Sequence, residues 1–586
     1  MSPSKPHFSG ESALIDFISN PQAIMTLGMQ LPGLMSDPMA VAMLHKPLRV
    51  VLATDPTLSD DDRERIIAFV SDIEVEGEAL PSRPEPQPAV YRNDYEGDDI
   101  ARASARVMHS GEGEVWQRYE ITLDGPSHGN PYLDVTLTAT FRSGFTSLEV
   151  LGFYNGDGRY AFRFLPGKAG EWSFETASNA RSLDGLTGSV NVVAGTNHGP
   201  VRVADTFHFR HADGTRYLPV GTTAYAWTHQ PQELQEQTLA TLKDGPFTKI
   251  RMCVFPKHYV YNHNEPEVFP FPRNEAGAFD FDRFDPAYWA HLEKRIDQLA
   301  ELGIEADLIL FHSYDRWGFS AMDAEIDDRY VRYVAARFSS FTNVWWSLAN
   351  EYDFMFTKSA EDWRRWARIL RRWDPTEHLL SIHNGLRYYD NTEYWVTHGS
   401  IQRTDNYKTT EFVTEWRAEA KKPIVVDEAV YEGNIDLGWG NITGEEMTRR
   451  FWEAFIRGGY ATHGETYTDP DDVLFWAKGG PLHGTSPARI GFLANIVRES
   501  PQGYWEPLIQ DFDAQAAGIP DEYYLYYYGF NQPKFRHFIH DPEIQWEADV
   551  IDTWNMTVET LPGTYSGRFT LNLPGRPYMA IRLRRV

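Results

Sequence analysis

The chain carries one cysteine, Cys253, among 586 residues. That excludes an intramolecular disulfide and any zinc site built on cysteines. Positive charge is also short: 55 Lys and Arg against 83 Asp and Glu leave a net charge of −28. A surface of that sign repels phosphate backbones and anionic lipid, so neither nucleic acid nor membrane is expected as a partner. It also counts against a polyanionic substrate, unless a local basic pocket overrides the average. Long apolar runs are missing too. The Met-rich stretch from Ile24 to Leu44 is interrupted by Pro32, Asp37 and Pro38 and does not read as a membrane span. The opening Met1-Ser2-Pro3-Ser4-Lys5-Pro6 has no apolar signal-peptide core, so a cytoplasmic location is the expectation. An enzyme there meets imported small molecules instead of intact polymer. The histidines show no His-Glu-x-x-His or comparable spacing, and no catalytic metal is expected. No Gly-x-Ser-x-Gly elbow, P-loop or dinucleotide fingerprint occurs in a convincing setting, and no cofactor is expected. Nor does a repeat of roughly 20 to 50 residues run through the chain.

What is present is a foldable, aromatic-rich chain. Apolar residues make up 42%, with 18 Trp, 30 Tyr and 34 Phe, which excludes disorder as the overall state. Rings also suit carbohydrate handling, because a sugar's apolar face stacks on them, although most are expected in cores. The character of the sequence changes three times. Residues 1–90 read as a helical N-terminal segment and linker: Leu14, Ile15, Phe17 and Ile18 lie in one helix. Arg63 to Val70 follow the cap region Ser59-Asp60-Asp61-Asp62 in another, and Pro81 to Pro88 read as a semi-rigid linker. A packing or oligomerisation role is expected for this segment. Residues 91–205 alternate in short strands, such as Val115 to Leu123 and Leu133 to Phe141, and predict a β-sandwich. Residues 505–586 predict a second one, with strands at Tyr523 to Phe530, Gln545 to Asp552 and Met579 to Leu583.

Between them, residues 206–504 alternate strand and helix. Strands are expected at Tyr217–Thr223, Thr248–Phe255, Ile304–Phe311, Asn343–Glu351, His378–His383, near Asp405–Tyr407, Lys422–Glu428 and Gly459–Glu465. A helix from about Pro286 to Leu302 has Asp285 as cap and Gly303 as stop, and one from about Ser486 to Arg498 closes the series. Trp363, Trp366, Leu370 and Trp373 recur at helical spacing and read as core. Eight such units predict a (β/α)8 barrel, whose chemistry sits at the carboxyl ends of its strands.

Two of those ends carry acids after clean hydrophobic strands. Glu351 ends the fourth and Glu428 the seventh. Glycosidic-bond cleavage requires two carboxyls in one cleft: one protonates the leaving oxygen, while the other attacks the anomeric carbon or activates water. Adjacent strand residues point to opposite faces, so Asp427 and Glu428 are not both expected in the site. Glu465, at the end of strand eight, competes as a further acid or a hydroxyl-binding group. Asn350 is the natural partner of a sugar 2-hydroxyl. Arg251, ending strand two, either orients the nucleophile and keeps it ionised or forms a structural ion pair in the barrel mouth. His312, Tyr314, Asp315 and Trp317 follow strand three, and His383 and Asn384 follow strand five, where hydroxyls would be read. Trp227 and Trp476 are stacking platforms or core residues.

The fourth-strand Asn350-Glu351 and seventh-strand Glu428 resemble the pattern of clan A glycoside hydrolases. Gly152 to Gly158, Arg163 to Pro166 and Gly170-Glu171-Trp172 resemble the sandwich that precedes such barrels in a bacterial group of glycosidases related to the apiosidase-like enzymes. Phe209 to Trp227 resembles that barrel's opening, and Asp552 to Met556 its C-terminal sandwich. The resemblance implies Glu351 as acid/base and Glu428 as nucleophile of a retaining mechanism. It also implies a tyrosine near the end of strand six that holds the nucleophile; the best match is Tyr407 in Asp405-Asn406-Tyr407. The expectation is a retaining, exo-acting glycoside hydrolase for a short oligosaccharide or glycoside, its carboxyls about 5 Å apart. A transglycosylase using the same residues and a catalytically silent carbohydrate-binding protein stand as alternatives. Oligomeric state is left open.

Overall fold

The computed structural model describes residues 7–18, 20–31, 34, 43–75, 86–87, 89, 91–92, 94–405, 407–468, 474–508 and 514–586. Most of the expected Pro81 to Pro88 linker lies outside them. The chain divides into two compact units. One comprises Met1–Pro200, Cys253–Ala300 and Leu308–Arg387; the other comprises Val201–Met252, Glu301–Asp307 and Tyr388–Val586.

In the first unit, N-terminal helices at Leu14–Ile18, Pro21–Gln30, Leu48–Ala53 and Asp60–Ser71 gather around their own core. Ser59 caps the last of these, and Asp62 returns the bond to the Ser59 backbone. Phe354 and Phe356 belong to the same core, although they stand only a few residues beyond Glu351. Gly28 makes that approach feasible: a Cβ on it would fall 1.7 Å from Cβ of Phe356. The packing role expected for this segment therefore has a specific partner within the unit.

Eight strands between Arg106 and Val193 follow, in one sheet that doubles back over a common core. The alternation seen in sequence is the physical one: Tyr119, Ile121 and Leu123 turn inward while Glu120 and Asp124 face out. Arg163 of this sheet reaches Glu293 at 2.6 Å, and Glu293 also holds Arg337 at 2.6 Å. Burial alone would raise the Glu293 carboxyl, but the two guanidinium groups hold it below its ordinary value.

Eight parallel strands make the barrel. They are β1 (Gly221–Thr223), β2 (Lys249–Cys253), β3 (Glu305–Phe311), β4 (Val344–Ala349), β5 (Leu380–Ser381), β6 (Gly399–Gln402), β7 (Ile424–Glu428) and β8 (Tyr460–His463). Their order is β5-β4-β3-β2-β1-β8-β7-β6, sequential with β1 beside β8, as a (β/α)8 barrel requires. Long helices follow β1 (Gln232–Asp244), β2 (Pro286–Glu301), β3 (Ala324–Phe338), β4 (Ala360–Trp373), β7 (Gly444–Ile456) and β8 (Ser486–Arg498). A shorter one, Val413–Ala420, follows β6. Residues 382–398, between β5 and β6, contain no helix, so the fifth unit is a strand and loop. Trp363, Trp366 and Leu370 are buried, as the stripe on their helix predicts, whereas Trp373 at the helix end is partly exposed. β6 ends at Gln402, ahead of the expected Asp405 to Tyr407.

The C-terminal residues form a six-stranded antiparallel sheet that includes Tyr523–Tyr527, Trp546–Asp552 and Met579–Arg585. The paired strands Phe535–Ile539 and Arg568–Asn572 contribute Phe538 and Leu571 to its core.

Candidate active site

Every residue of β4 is buried, and the polar pair that ends the run inherits that burial: Asn350 is 1% exposed and Glu351 7%. The Asn350 N–H donates to the Phe311 carbonyl at 2.9 Å, carrying the ladder one residue beyond the strand. Glu351 then turns out of it with φ +52°, a left-handed conformation that costs a non-glycine residue about 1 kcal/mol or more. One carboxylate oxygen, Oε2, accepts from the Tyr314 hydroxyl at 2.5 Å and from the Asn350 side-chain amide at 3.0 Å. Behind Tyr314 lies a cation absent from the sequence reading. The buried Lys257 ammonium sits 4.1 Å from the Tyr314 ring centroid and 4.5 Å from that of Tyr259.

The other residues that follow β3 and β5 make contacts within the chain. Buried His312 bonds the Phe255 carbonyl at 3.1 Å, and burial, aided by Lys257, pushes its pKa down to about 3, so it is neutral. The Asp315 carboxylate accepts the N–H groups of Trp317 (2.8 Å) and Ser320 (2.7 Å) and so shapes its own loop. The Trp317 indole donates to Glu265 at 3.3 Å. His383 is fully buried and its carbonyl accepts the Tyr352 N–H at 3.0 Å; the Asn384 amide donates to Gly385 at 3.1 Å.

In the second unit β7 carries its two acids into different work. Ile401 pairs with Val426 and Gln402 with Glu428, so the strand register slips by one residue at Asp427. The Asp427 carboxylate is fully buried. It accepts from Lys249 at 2.7 Å, Arg251 at 3.0 Å, Thr462 at 2.6 Å and Ser400 at 2.6 Å. Lys249 also pairs with Asp307 at 2.7 Å. Of the two readings of Arg251, the ion pair is the direct contact, although its charge also acts on Glu428. Glu428 accepts a short hydrogen bond from the Tyr225 hydroxyl. The buried Tyr431 hydroxyl stands beside the same carboxylate without a well-formed hydrogen bond to it. Burial and the Glu428 charge raise both phenols well above their ordinary range, so both keep their protons.

That arrangement corrects the expectation for Tyr407. Its side chain is 90% exposed, and its backbone N–H donates to Asp405. The strand-six position it was to fill lies beyond the end of β6, and the phenol at Glu428 comes from Tyr225, after β1. Nothing periodic flags Tyr225, whereas Tyr431, three residues past Glu428, was in reach of a sequence argument. Trp227 is fully buried and is core, while Trp476 packs its ring against Tyr225 and Tyr431 at 5.8 and 5.5 Å. Glu465 accepts the backbone N–H groups of His483 and Gly484, and burial pushes its pKa up to about 7. Its neighbour Glu432 accepts from the Thr485 and Ser486 N–H groups that start the helix after β8. Among the described residues, no group of three or more His, Cys, Asp or Glu is placed to hold a metal ion.

The chain was compared with known families and structures. The family described as apiosidase-like, catalytic domain, matches residues 204–488. A solved candidate glycoside hydrolase from Bacteroides vulgatus ATCC 8482 is 38% identical, with a TM-score of 0.77; the match covers 81% of this chain and 100% of that one. The chain belongs to the apiosidase-like glycoside hydrolases. Two families described only as domains of unknown function, DUF5060 and DUF5605, match this glycosidase at residues 112–179 and 512–584. A glycoside hydrolase family 5 structure from the same organism is 16% identical (TM-score 0.52) and covers 66% of the chain and 94% of its own. A further glycoside hydrolase at 15% identity and the same TM-score covers 66% and 97%. These two speak for the fold alone, which is that of clan A. Comparison with curated proteins gives no match. Among the described residues no helix is long and apolar enough to cross a membrane.

Proposed function

We propose that this glycosidase is retaining and exo-acting, with Glu351 as acid/base and Glu428 as nucleophile, on a neutral short oligosaccharide or glycoside. The observation that carries the reading is the contrast in what each carboxylate touches. Glu428 receives a phenol hydrogen bond and feels the buried Arg251 charge, surroundings suited to a carboxylate that must be ionised to attack. Glu351 is held by two neutral donors, an amide and a phenol, suited to a group that gives up a proton and takes it back. Attack of a Glu428 oxygen on the anomeric carbon expels the leaving oxygen, which takes the proton from Glu351. Ionised Glu351 then deprotonates a water that displaces Glu428 and regenerates both groups.

The segment boundaries 1–90, 91–205, 206–504 and 505–586 remain our reading of the domain plan, and a cytoplasmic location fits the single buried Cys253. The test is turnover of nitrophenyl glycosides, followed by NMR of the first-formed anomer. Retention supports the mechanism and inversion rejects it. Transfer to an added acceptor sugar in place of water would make the enzyme a transglycosylase using the same residues.

A further inference from the structure

The Glu428 nucleophile reading above leaves one cluster of rings unexplained. Two residues past Glu428, Val430 has φ +67°, a conformation rare for a β-branched residue, and the chain doubles back there. Next, the Tyr431 N–H donates to the Trp439 carbonyl at 2.8 Å, and Tyr431 O accepts from Ile442 N–H at 3.2 Å. These bonds fold residues 431–442 onto themselves and present Trp439 on a single 3-10 turn, Gly438–Gly440. Three rings meet there. Trp439 lies 5.0 Å from Trp476 and 6.1 Å from Tyr431, and Tyr431 lies 5.5 Å from Trp476, centroid to centroid. Tyr431 and Trp476 are buried, whereas Trp439 is partly exposed.

The inner end of this shelf abuts the reacting carboxylate. The Tyr431 hydroxyl is buried beside Glu428 and the Tyr225 hydroxyl, within their influence but without a well-formed hydrogen bond to the carboxylate, so a small shift of the ring would complete one. The outer end is an indole on a short turn, an apolar surface with a polar edge. Such a shelf fits a sugar ring that lays its C–H face on the indole. The surroundings also exclude a class of sugar. Exposed Asp436 and buried Glu432 belong to the same stretch of chain, so a carboxylated ring would approach acidic residues.

We infer that Trp439, backed by Trp476 and Tyr431, is a specificity-determining platform for a neutral sugar ring beside the nucleophile. Packing of that ring excludes water, and the Tyr431 hydroxyl then closes on Glu428. Trp439 sets affinity, while Tyr431 acts as a positioning residue on the attacking carboxylate. The inference rests on Glu428 being the nucleophile.

Neutral and uronide nitrophenyl glycosides are the probes. On any neutral glycoside that the wild type cleaves, Trp439→Ala should raise KM about tenfold with kcat within about threefold, and Trp439→Phe should recover most of the loss. Tyr431→Phe should instead lower kcat and leave KM in place. Binding of the same glycoside to Glu428→Gln should weaken about tenfold when Trp439→Ala is added. The Trp439 carbonyl bond to Tyr431 survives these side-chain changes, and circular dichroism checks the fold. An unchanged KM and Kd in Trp439→Ala, a loss in kcat alone, or a preference for uronides overturns the platform. If no glycoside is cleaved, the hydrolytic reading fails separately. Direct titration of the wild type then decides the platform: loss of binding in Trp439→Ala supports it, and equal or absent binding rejects it.

Discussion

The ends of β4 and β7 solve one problem, a buried glutamate on a barrel rim, with opposite materials. β4 is Val-Trp-Trp-Ser-Leu-Ala, wholly buried, and its polar side-chain contacts below Glu351 include the Trp346 indole donating to Asp374 at 2.9 Å. Beyond it, strain in the backbone at Glu351 and two neutral donors fix the carboxylate. β7 rests instead on ions: Asp427 is wedged between Lys249 and Arg251, and Glu428 rides on that layer with a phenol from another strand's end. The lesson is that one rim hosts two electrostatic climates. A charged underlay holds its carboxylate by field, while an apolar underlay leaves local dipoles to decide.

The largest test of that contrast exchanges chemistry for leaving-group dependence. Glu428→Ala should lower turnover by at least about 10⁴-fold with every leaving group, because no group remains to attack. Glu351→Ala should cost about 10²- to 10⁴-fold on a poorly leaving alcohol and much less on dinitrophenol, which departs unprotonated. If the leaving group rescues the Glu428 variant instead, the two roles are reversed.

Next in size is the ionic layer. Lys249→Met leaves Asp307 and Asp427 buried around one fewer cation, so urea unfolding should show a loss of about 3 to 5 kcal/mol. A change under about 1 kcal/mol would mean that the layer is dispensable and the contrast with β4 is superficial. Below that come the phenols. Tyr225→Phe removes a hydrogen bond to a charged group, worth about 1.5 to 3 kcal/mol, and should lower kcat about 10- to 100-fold. Tyr314→Phe should cost less, since Asn350 still donates to the same oxygen of Glu351. Equal losses would remove the distinction between one donor and two.

The apolar half of this architecture was legible in the sequence and the polar half largely was not. β4 and β7 announce themselves as hydrophobic runs, and the Trp363, Trp366 and Leu370 stripe gives its helix directly, because burial imposes a period on neighbouring residues. Helix ends at Ser59 and Ser486 were readable for the same local reason. The phenol at Glu428 was not, since Tyr225 stands 203 residues away and no periodicity links the two. Tyr407 is the position that the family resemblance implies, but β6 slips in register between Ile401 and Gln402 and ends at Gln402, five residues short of it. The loop after β5 likewise shows that a (β/α)8 count predicts the ring of strands better than the helix in each crossover. Buried cations such as Lys257 and Lys249 look like surface residues until their partners are in space.

A pH-dependent test lies in the acid pair after β7 and β8. Glu465 has a pKa raised from 4.5 to about 7, chiefly by burial, with the Glu432 charge adding to it. A carboxyl raised on folding favours the native state most while protonated, so its contribution is full below about pH 4.5 and is lost as pH climbs towards 7. The span corresponds to at most about 3 kcal/mol. Stability measured by urea unfolding at pH 5 and at pH 7.5 should therefore fall for the wild type by more than for Glu465→Gln, which cannot ionise. Because Glu432 is itself held below its ordinary value by Thr485 and Ser486, the variant should keep the helix after β8 in place at both pH values. Parallel pH curves for the two proteins would show that Glu465 is already ionised at pH 5. The loop at His483 and Gly484 would then be tied by an ordinary carboxylate.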